Sequence, residues 1–326
     1  MKVFTGADAF KLFESRCPKI FTIPDGWQIK TYLDPGKNYK PRAAVVLKGR
    51  GTFGGQCDVR IAPTKQEGIR FSKGGKFTSA VPENASTGYR CLSIGEGQKV
   101  HVVEHLMALR LALGLEANIS LPPSWWISSV PTFPGCLKEV VSALLPDGLI
   151  ESGPAHFRTI NQVIGLKFGK AYIVFEPGPP EDGLTIDHAF SHKVNPPGHQ
   201  RIVYKLNPDS FAYICGARPL MFGIKAKLAS RLHRFGAKGI AGTSLKFDSS
   251  CVVTKKGFLN PSGNYVDANG NDLEIILHEV IDVLGALGLL GRLCGKVTTF
   301  RLSHKNAVKA CRHFKSHLVD AANNHH

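Results

Sequence analysis

From Ala43 the chain alternates apolar and polar residues in AAVVLKGRG and again in QCDVRIAP, with glycine-rich joints between them, which predicts half-buried strands. Val102, Val103, Leu106, Met107, Leu109 and Leu113 then recur at helical spacing and predict a helix over 102–115, followed by a second over 137–145. Around residues 146–154 the chain turns polar and rich in Gly and Pro. Strand patterns resume in NQVIGLKFGKAYIVFEPG and QRIVYKL, and helical ones over 221–235, 272–287 and 305–318. This order divides the chain into an N-terminal extension (1–40), a first α+β domain (41–150), a second (151–320) and a short tail (321–326). The expected fold class is α+β: two similar domains, each a mostly antiparallel sheet packed on helices, although the halves do not visibly repeat in sequence.

Composition narrows the classes. At 326 residues the chain exceeds one average core, and no apolar run approaches the roughly 20 uncharged residues of a membrane helix. Forty-one Lys and Arg against 25 Asp and Glu give a formal charge of +16, which favours encounters with polyanions. The basic residues are spread without a long run, so a solvated surface and an RNA-binding face weigh about equally. Eight cysteines form no Cys-x-x-Cys pair, which excludes a ribbon-type zinc site and a thioredoxin motif and predicts buried, reduced thiols. The opening residues lack a secretory apolar stretch, and Asp8 and Glu14 break the acid-free composition of an organelle presequence. The expected compartment is the cytoplasm or an organelle matrix such as the mitochondrion's.

The chemistry concentrates in three short places. In DLEIILHEVIDVLGALG, Asp272 is placed to cap a helix, and His278 and Asp282 fall at i and i+4, within reach of one metal ion. The same spacing more commonly makes a surface hydrogen bond. HEVID also touches the zincin pattern, but a second His is missing. In HVVEHLMALRLALGL, Glu104 and His105 open an apolar helix, where burial without partners would be costly. RLSHKNA sets His304 ahead of the last predicted helix, a position that is usually solvent-exposed.

Together these places resemble the UDP-3-O-acyl-N-acetylglucosamine deacetylases. VEHLMALRLALGL is similar to the family's Val-Glu-His-Leu-Met-Ala-Ala helix. Leu259 to Gly263, His278 to Asp282, Leu289 to Gly291, and Ser303 with His304 resemble its Leu-Asn-Pro-x-Gly, His-Lys-x-x-Asp, Leu-Leu-Gly and Ser-Gly-His segments. LKGRGTFGGQCDVRIAPTKQEGIRF, TGYRCLSIG (through Arg90 and Cys91) and ICGARPL extend the likeness over about 41–315, in order. The resemblance implies Zn²⁺ held by His105, His278 and Asp282 where the two domains' helices meet. Glu104 would take a proton from the attacking water, and His304 would stabilise the oxyanion and protonate the leaving amine. It implies as substrate an N-acetylated sugar nucleotide or sugar lipid.

Four departures surround these residues. Pro219 and Leu220 replace a Thr-Phe pair whose hydroxyl contacts the oxyanion, a loss of roughly a hundred- to thousand-fold in rate. Glu279 replaces a Lys that faces the anionic part of the substrate, Gly51-Thr52-Phe53 replaces Gly-Leu-His, and Pro134-Gly135-Cys136 replaces Asp-Gly-Ser. They leave open a second reading: a catalytically impaired deacetylase fold serving as a structural subunit of a basic, RNA-containing or organellar complex.

Overall fold

The computed structural model describes residues 1–10, 29–50, 56–88, 91–123, 130, 133, 136–145, 147–191, 198–221, 250–254 and 257–321. Two sheets dominate. The five-stranded one runs Val45–Arg50, Gln56–Ala62, Ala117–Leu121, Ile69–Lys73 and Thr78–Ser79, antiparallel except where Ala117–Leu121 pairs in parallel with Ile69–Lys73. The six-stranded one runs Lys2–Thr5, Ile164–Phe168, Ala171–Glu176, Gly295–Phe300, Leu184–Ser191 and His199–Leu206, again antiparallel except for Leu184–Ser191 beside Gly295–Phe300. The fold is therefore α+β with mostly antiparallel sheets, as the periodicities predict. The first strand was not expected: residues 2–5, inside the predicted extension, form an edge of the six-stranded sheet.

The helices are shorter than predicted and centred where expected. Glu104–Leu113 ends at Gly114, which takes the left-handed conformation (φ 62°) and donates its N–H to Leu109 O. A Cβ there would meet Lys37 O at 2.6 Å, so a glycine is required. The second helix is Lys138–Leu144. Glu274–Leu287 has Leu273 at its N-cap, and Asp272 instead accepts a hydrogen bond from the Glu274 N–H at 2.8 Å from one residue further out. The last helix, His304–Lys315, stops three residues before the predicted end, because Leu318–Asp320 pairs antiparallel with Phe157–Ile160 and its backbone groups belong to that sheet. Of the helix predicted over 221–235, Met221 lies in the strand Leu220–Met221 and the remainder falls outside the described residues. The seven described cysteines are free and buried.

A large core joins most of the elements, and a smaller cluster of Ala9, Tyr172, Val174, Ala189 and Phe300 is separate from it. Helices Glu104–Leu113 and Glu274–Leu287 pack directly on each other, and Leu106, Met107, Leu109, Ile276, Leu277, Val280, Ile281 and Leu284 are fully buried. Two glycines set how closely they approach. A Cβ on Gly285 would lie 2.0 Å from Glu104 O, and one on Gly288 would lie 2.6 Å from Met107 O. Backbone touches backbone at this crossing, which brings the first turn of the Glu104–Leu113 helix against the C-terminal end of the Glu274–Leu287 helix.

Candidate active site

Val102 adopts a left-handed backbone (φ 59°), an uncommon state for a β-branched residue, immediately before the Glu104–Leu113 helix. The helix then begins with Glu104, whose side chain turns inward. Glu104 is 4% exposed and its Oε2 accepts the Leu92 N–H at 2.9 Å. Burial raises its pKa, with His304 and His105 opposing and Asp282 reinforcing the shift.

His278 projects from the facing helix and is almost wholly buried. Its Nδ1 lies 2.9 Å from the Ala217 carbonyl, which can only accept, so Nδ1 carries the proton and the Nε2 lone pair is free. Burial lowers its pKa to about 4 against the charge of Asp282, so the ring is neutral near pH 7. Nε2 faces Asp282 Oδ1 at 3.7 Å, and His105 Nε2 lies 3.3 Å from the same oxygen. The two imidazoles meet edge to face with centroids 4.9 Å apart. For His105, burial works downward, but the adjacent Asp282 and the charge of Glu104 outweigh it and raise the pKa.

Asp282 is the centre of the cluster. Burial pushes its pKa up, yet His278, His304 and His105 together hold it well below the ordinary carboxylate range. Its Oδ2 lies 3.7 Å from His304 Nε2. Among the described residues its buried Oδ1 has no hydrogen bond, because the contact with His105, although short, is not aligned as one. His304 is not in a loop but is the first residue of its helix, capped by Ser303 Oγ, which accepts the Asn306 N–H at 3.4 Å. A cavity of about 480 Å³ opens onto Asp282 and His304 and is also walled by Glu279, Ser303 and Lys305. Burial and the neighbouring Asp282 push Glu279 up to about 7.

The structure therefore brings together all five residues singled out in the sequence, from three helices. Sequence reasoning did not foresee the role of the Ala217 carbonyl in fixing a tautomer. Nor did it foresee that Cys136, held at φ 52°, places its Sγ 4.0 Å from His278 Nδ1. Cys136, His105 and His278 form one candidate metal-holding group, and Glu104, Asp282 and His304 a second, each with donor atoms within 4.8 Å of one another.

A family model described as LpxC, UDP-3-O-acyl N-acetylglycosamine deacetylase, matches residues 42–316. The chain belongs to this family. Among its relatives is a UDP-3-O-acyl-N-acetylglucosamine deacetylase of Pseudoalteromonas translucida (strain TAC 125), 29% identical over 220 residues, 66% of this chain and 66% of the relative. One of Syntrophotalea carbinolica (strain DSM 2380 / NBRC 103641 / GraBd1) is 28% identical over 213 residues, 64% of this chain and 63% of the relative. One of Brucella ovis (strain ATCC 25840 / 63/290 / NCTC 10512) is 26% identical over 287 residues, 82% of this chain and 92% of the relative. The matches to the first two span just under two thirds of those relatives. At these identities the chain is a divergent member of the deacetylase family.

The donor set fits the zinc that membership implies. Ligands at about 2.0–2.2 Å in a tetrahedron lie roughly 3.3–3.6 Å from one another, close to the 3.3 and 3.7 Å measured from Asp282 Oδ1 to the two imidazole nitrogens. A lone pair on His278 Nε2 facing a carboxylate oxygen that receives no hydrogen bond from the described residues is an arrangement a cation relieves. Of the departures from the deacetylase pattern, Pro219 uses its carbonyl to accept the Cys251 N–H at 2.8 Å, and Leu220 pairs with Cys251 in a short sheet. Arg218, before them, makes a buried double hydrogen bond to Glu274 at 2.6 and 2.9 Å. Gly51, Thr52, Phe53, Pro134 and Gly135 lie outside the described residues. No described helix is long and apolar enough to cross a membrane.

Proposed function

We propose that the protein is a zinc-dependent amide hydrolase that removes acetate from an N-acetylated sugar nucleotide or sugar lipid. The observation that carries this reading is the orphaned Asp282 Oδ1 facing two imidazole nitrogens, with the buried Glu104 and His304 beside it. His105, His278 and Asp282 would hold the ion, and the two α+β halves, 41–150 and 151–320, would meet there. When bound, Zn²⁺ would supply Lewis acidity and lower the pKa of a water toward about 7.

The chain's own groups account for the proton movements. Leu92 N–H anchors one oxygen of Glu104, which leaves the other to accept a proton from water as its oxygen bonds to the acetamide carbon. Burial strengthens Glu104 as a base. His304 stands across the cluster, 3.7 Å from Asp282 Oδ2, where it stabilises the oxyanion and then gives a proton to the nitrogen as the C–N bond breaks. Asp282 keeps the imidazoles oriented, and the Ala217 carbonyl keeps His278 in the tautomer that presents Nε2.

The test is to purify the protein without chelator, measure zinc per chain by elemental analysis, and follow acetate release from an N-acetylglucosamine derivative of UDP and from a glycoside. About one zinc per chain is expected, lost in His105→Ala. Glu104→Gln, which retains an acceptor for Leu92 N–H, should keep the metal and lose roughly a hundred- to ten-thousand-fold in rate. Zinc without turnover would favour the structural-subunit reading, and the absence of both would end the hydrolase reading.

A further inference from the structure

The cavity in front of the cluster contains a carboxylate that the proposed chemistry does not use. Glu279 follows His278 on the same helix and walls the cavity of about 480 Å³ together with Asp282 and His304. It has neither a hydrogen bond nor an ion pair with any described residue, and the charges acting on it are those of Asp282, of like sign, and His304. Asp282 already faces three imidazoles. His304 is shared with Asp282, and Lys305 lies exposed at the rim, where water screens it.

A carboxyl group in a cavity wall without a cation of its own welcomes a hydrogen-bond donor and opposes a phosphate. In an N-acetylated amino sugar the acetamide is carried by the ring carbon next to the anomeric one. A phosphate ester on the anomeric oxygen therefore stays within a few ångströms of the bond being cut, and in a cavity of this size it shares the space with Glu279.

We propose that Glu279 is a specificity-determining residue that turns this site away from sugar nucleotides and toward N-acetylated sugars whose anomeric position carries a neutral glycoside, with Glu279 accepting a hydrogen bond from a sugar hydroxyl. The proposal rests on the deacetylase reading and chooses between the two substrate classes that reading contains. It also separates this chain from relatives named for UDP-linked substrates.

The experiment is calorimetric titration, at about pH 8.5 where the Glu279 carboxyl is ionised, of the zinc-loaded full chain with UDP and, separately, with an octyl glycoside of N-acetylglucosamine, in wild type, Glu279→Gln and Glu279→Lys, each checked for native melting. UDP should bind wild type weakly and Glu279→Lys at least about tenfold more tightly, the order expected of a unit charge several ångströms away at an effective dielectric of about 20, with Glu279→Gln between. The glycoside should lose affinity in both variants. UDP affinities that agree within about threefold across the three proteins, or a wild type that prefers UDP to the glycoside, would overturn the proposal. If Glu279→Lys does not fold, Glu279→Gln carries the same comparison. Acetate release is measured beside it: the expected binding pattern without release would sink the hydrolase reading and keep the selectivity, whereas release from both substrates indifferent to Glu279 would do the reverse.

Discussion

At its first residue the Glu274–Leu287 helix buries a carboxylate against Arg218, and two turns later it sets a second, part-buried at the cavity wall, against three imidazoles. The first cluster is closed. Glu274 takes two hydrogen bonds from the Arg218 guanidinium and one from its backbone N–H, and Arg218 spends a further donor on Asn260 O. The second is left unfinished, with Asp282 Oδ1 without an aligned hydrogen bond among the described residues and His278 offering it a lone pair rather than a proton. One helix thus shows both uses of a buried charge: fully satisfied, it fixes the Ala217–Arg218 segment in place, and with one valence missing, it makes a site for a cation. The two are connected, since the segment that Glu274 holds supplies the carbonyl that orients His278.

Opening the closed cluster should have the largest effect. Glu274→Ala would take from the buried Arg218 the carboxylate that accepts three of its hydrogen bonds and should cost about 3–5 kcal/mol in denaturant unfolding. It should also weaken metal binding by releasing the Ala217 carbonyl. If stability fell while zinc affinity stayed at the wild-type value, the proposed link between the clusters would be wrong.

Gly285→Ala attacks the crossing that puts Glu104 opposite Asp282. A Cβ 2.0 Å from Glu104 O and 2.6 Å from its carbonyl carbon cannot be absorbed by a side chain, so the helices must part. A loss of about 3 kcal/mol, the upper end for overpacking, is expected together with reduced zinc content. An unchanged melting temperature would show that the helices sit further apart than described.

His188 is a third kind of buried ionisable group, one that carries no charge. It is fully buried, its Nδ1 lies 2.7 Å from Thr299 Oγ1, and burial depresses its pKa to about 4 despite Asp282 and Asp187. The unfolded imidazole titrates near 6.5, so below that pH the unfolded chain gains a proton that the folded one refuses. The stability present above about 6.5 should fall by up to about 3 kcal/mol as the pH drops to about 4, and level off below. Unfolding curves for wild type and His188→Leu across this window should diverge by that amount; parallel curves would remove His188 from the acid response.

The smallest effect expected is metal removal. A cation that binds only the folded state adds about 2.7 kcal/mol at a hundredfold excess over its Kd, so chelation should lower the melting temperature of wild type but not of Asp282→Asn. An equal shift in both proteins would place the ion elsewhere.

Much of this was legible in sequence because periodicity reports burial directly. The helix centres, the strands from Ala43 onward and in 161–178, and the pairing of His278 with Asp282 one turn apart are local properties of a backbone with 3.6- or 2-residue repeats. The limits of elements were less legible. Leu318–Asp320 continues a plausible helical pattern, but its backbone is claimed by Phe157–Ile160, more than 150 positions away in the chain. The edge strand Lys2–Thr5 likewise exists because Ile164–Phe168 offers it a partner.

By itself the sequence determined the α+β class, the family and which polar residues stand on apolar helices, since each depends on residue type and near-neighbour spacing. Only the tertiary structure decided what those residues do to one another. The close crossing at Gly285 and Gly288, the Ala217 carbonyl that sets a histidine's tautomer, Cys136 in a left-handed turn beside it and the solitary Glu279 in the cavity wall all arise from contacts between distant segments. Burial and electrostatics act through space, and only folding brings these groups close enough to shift one another's charge.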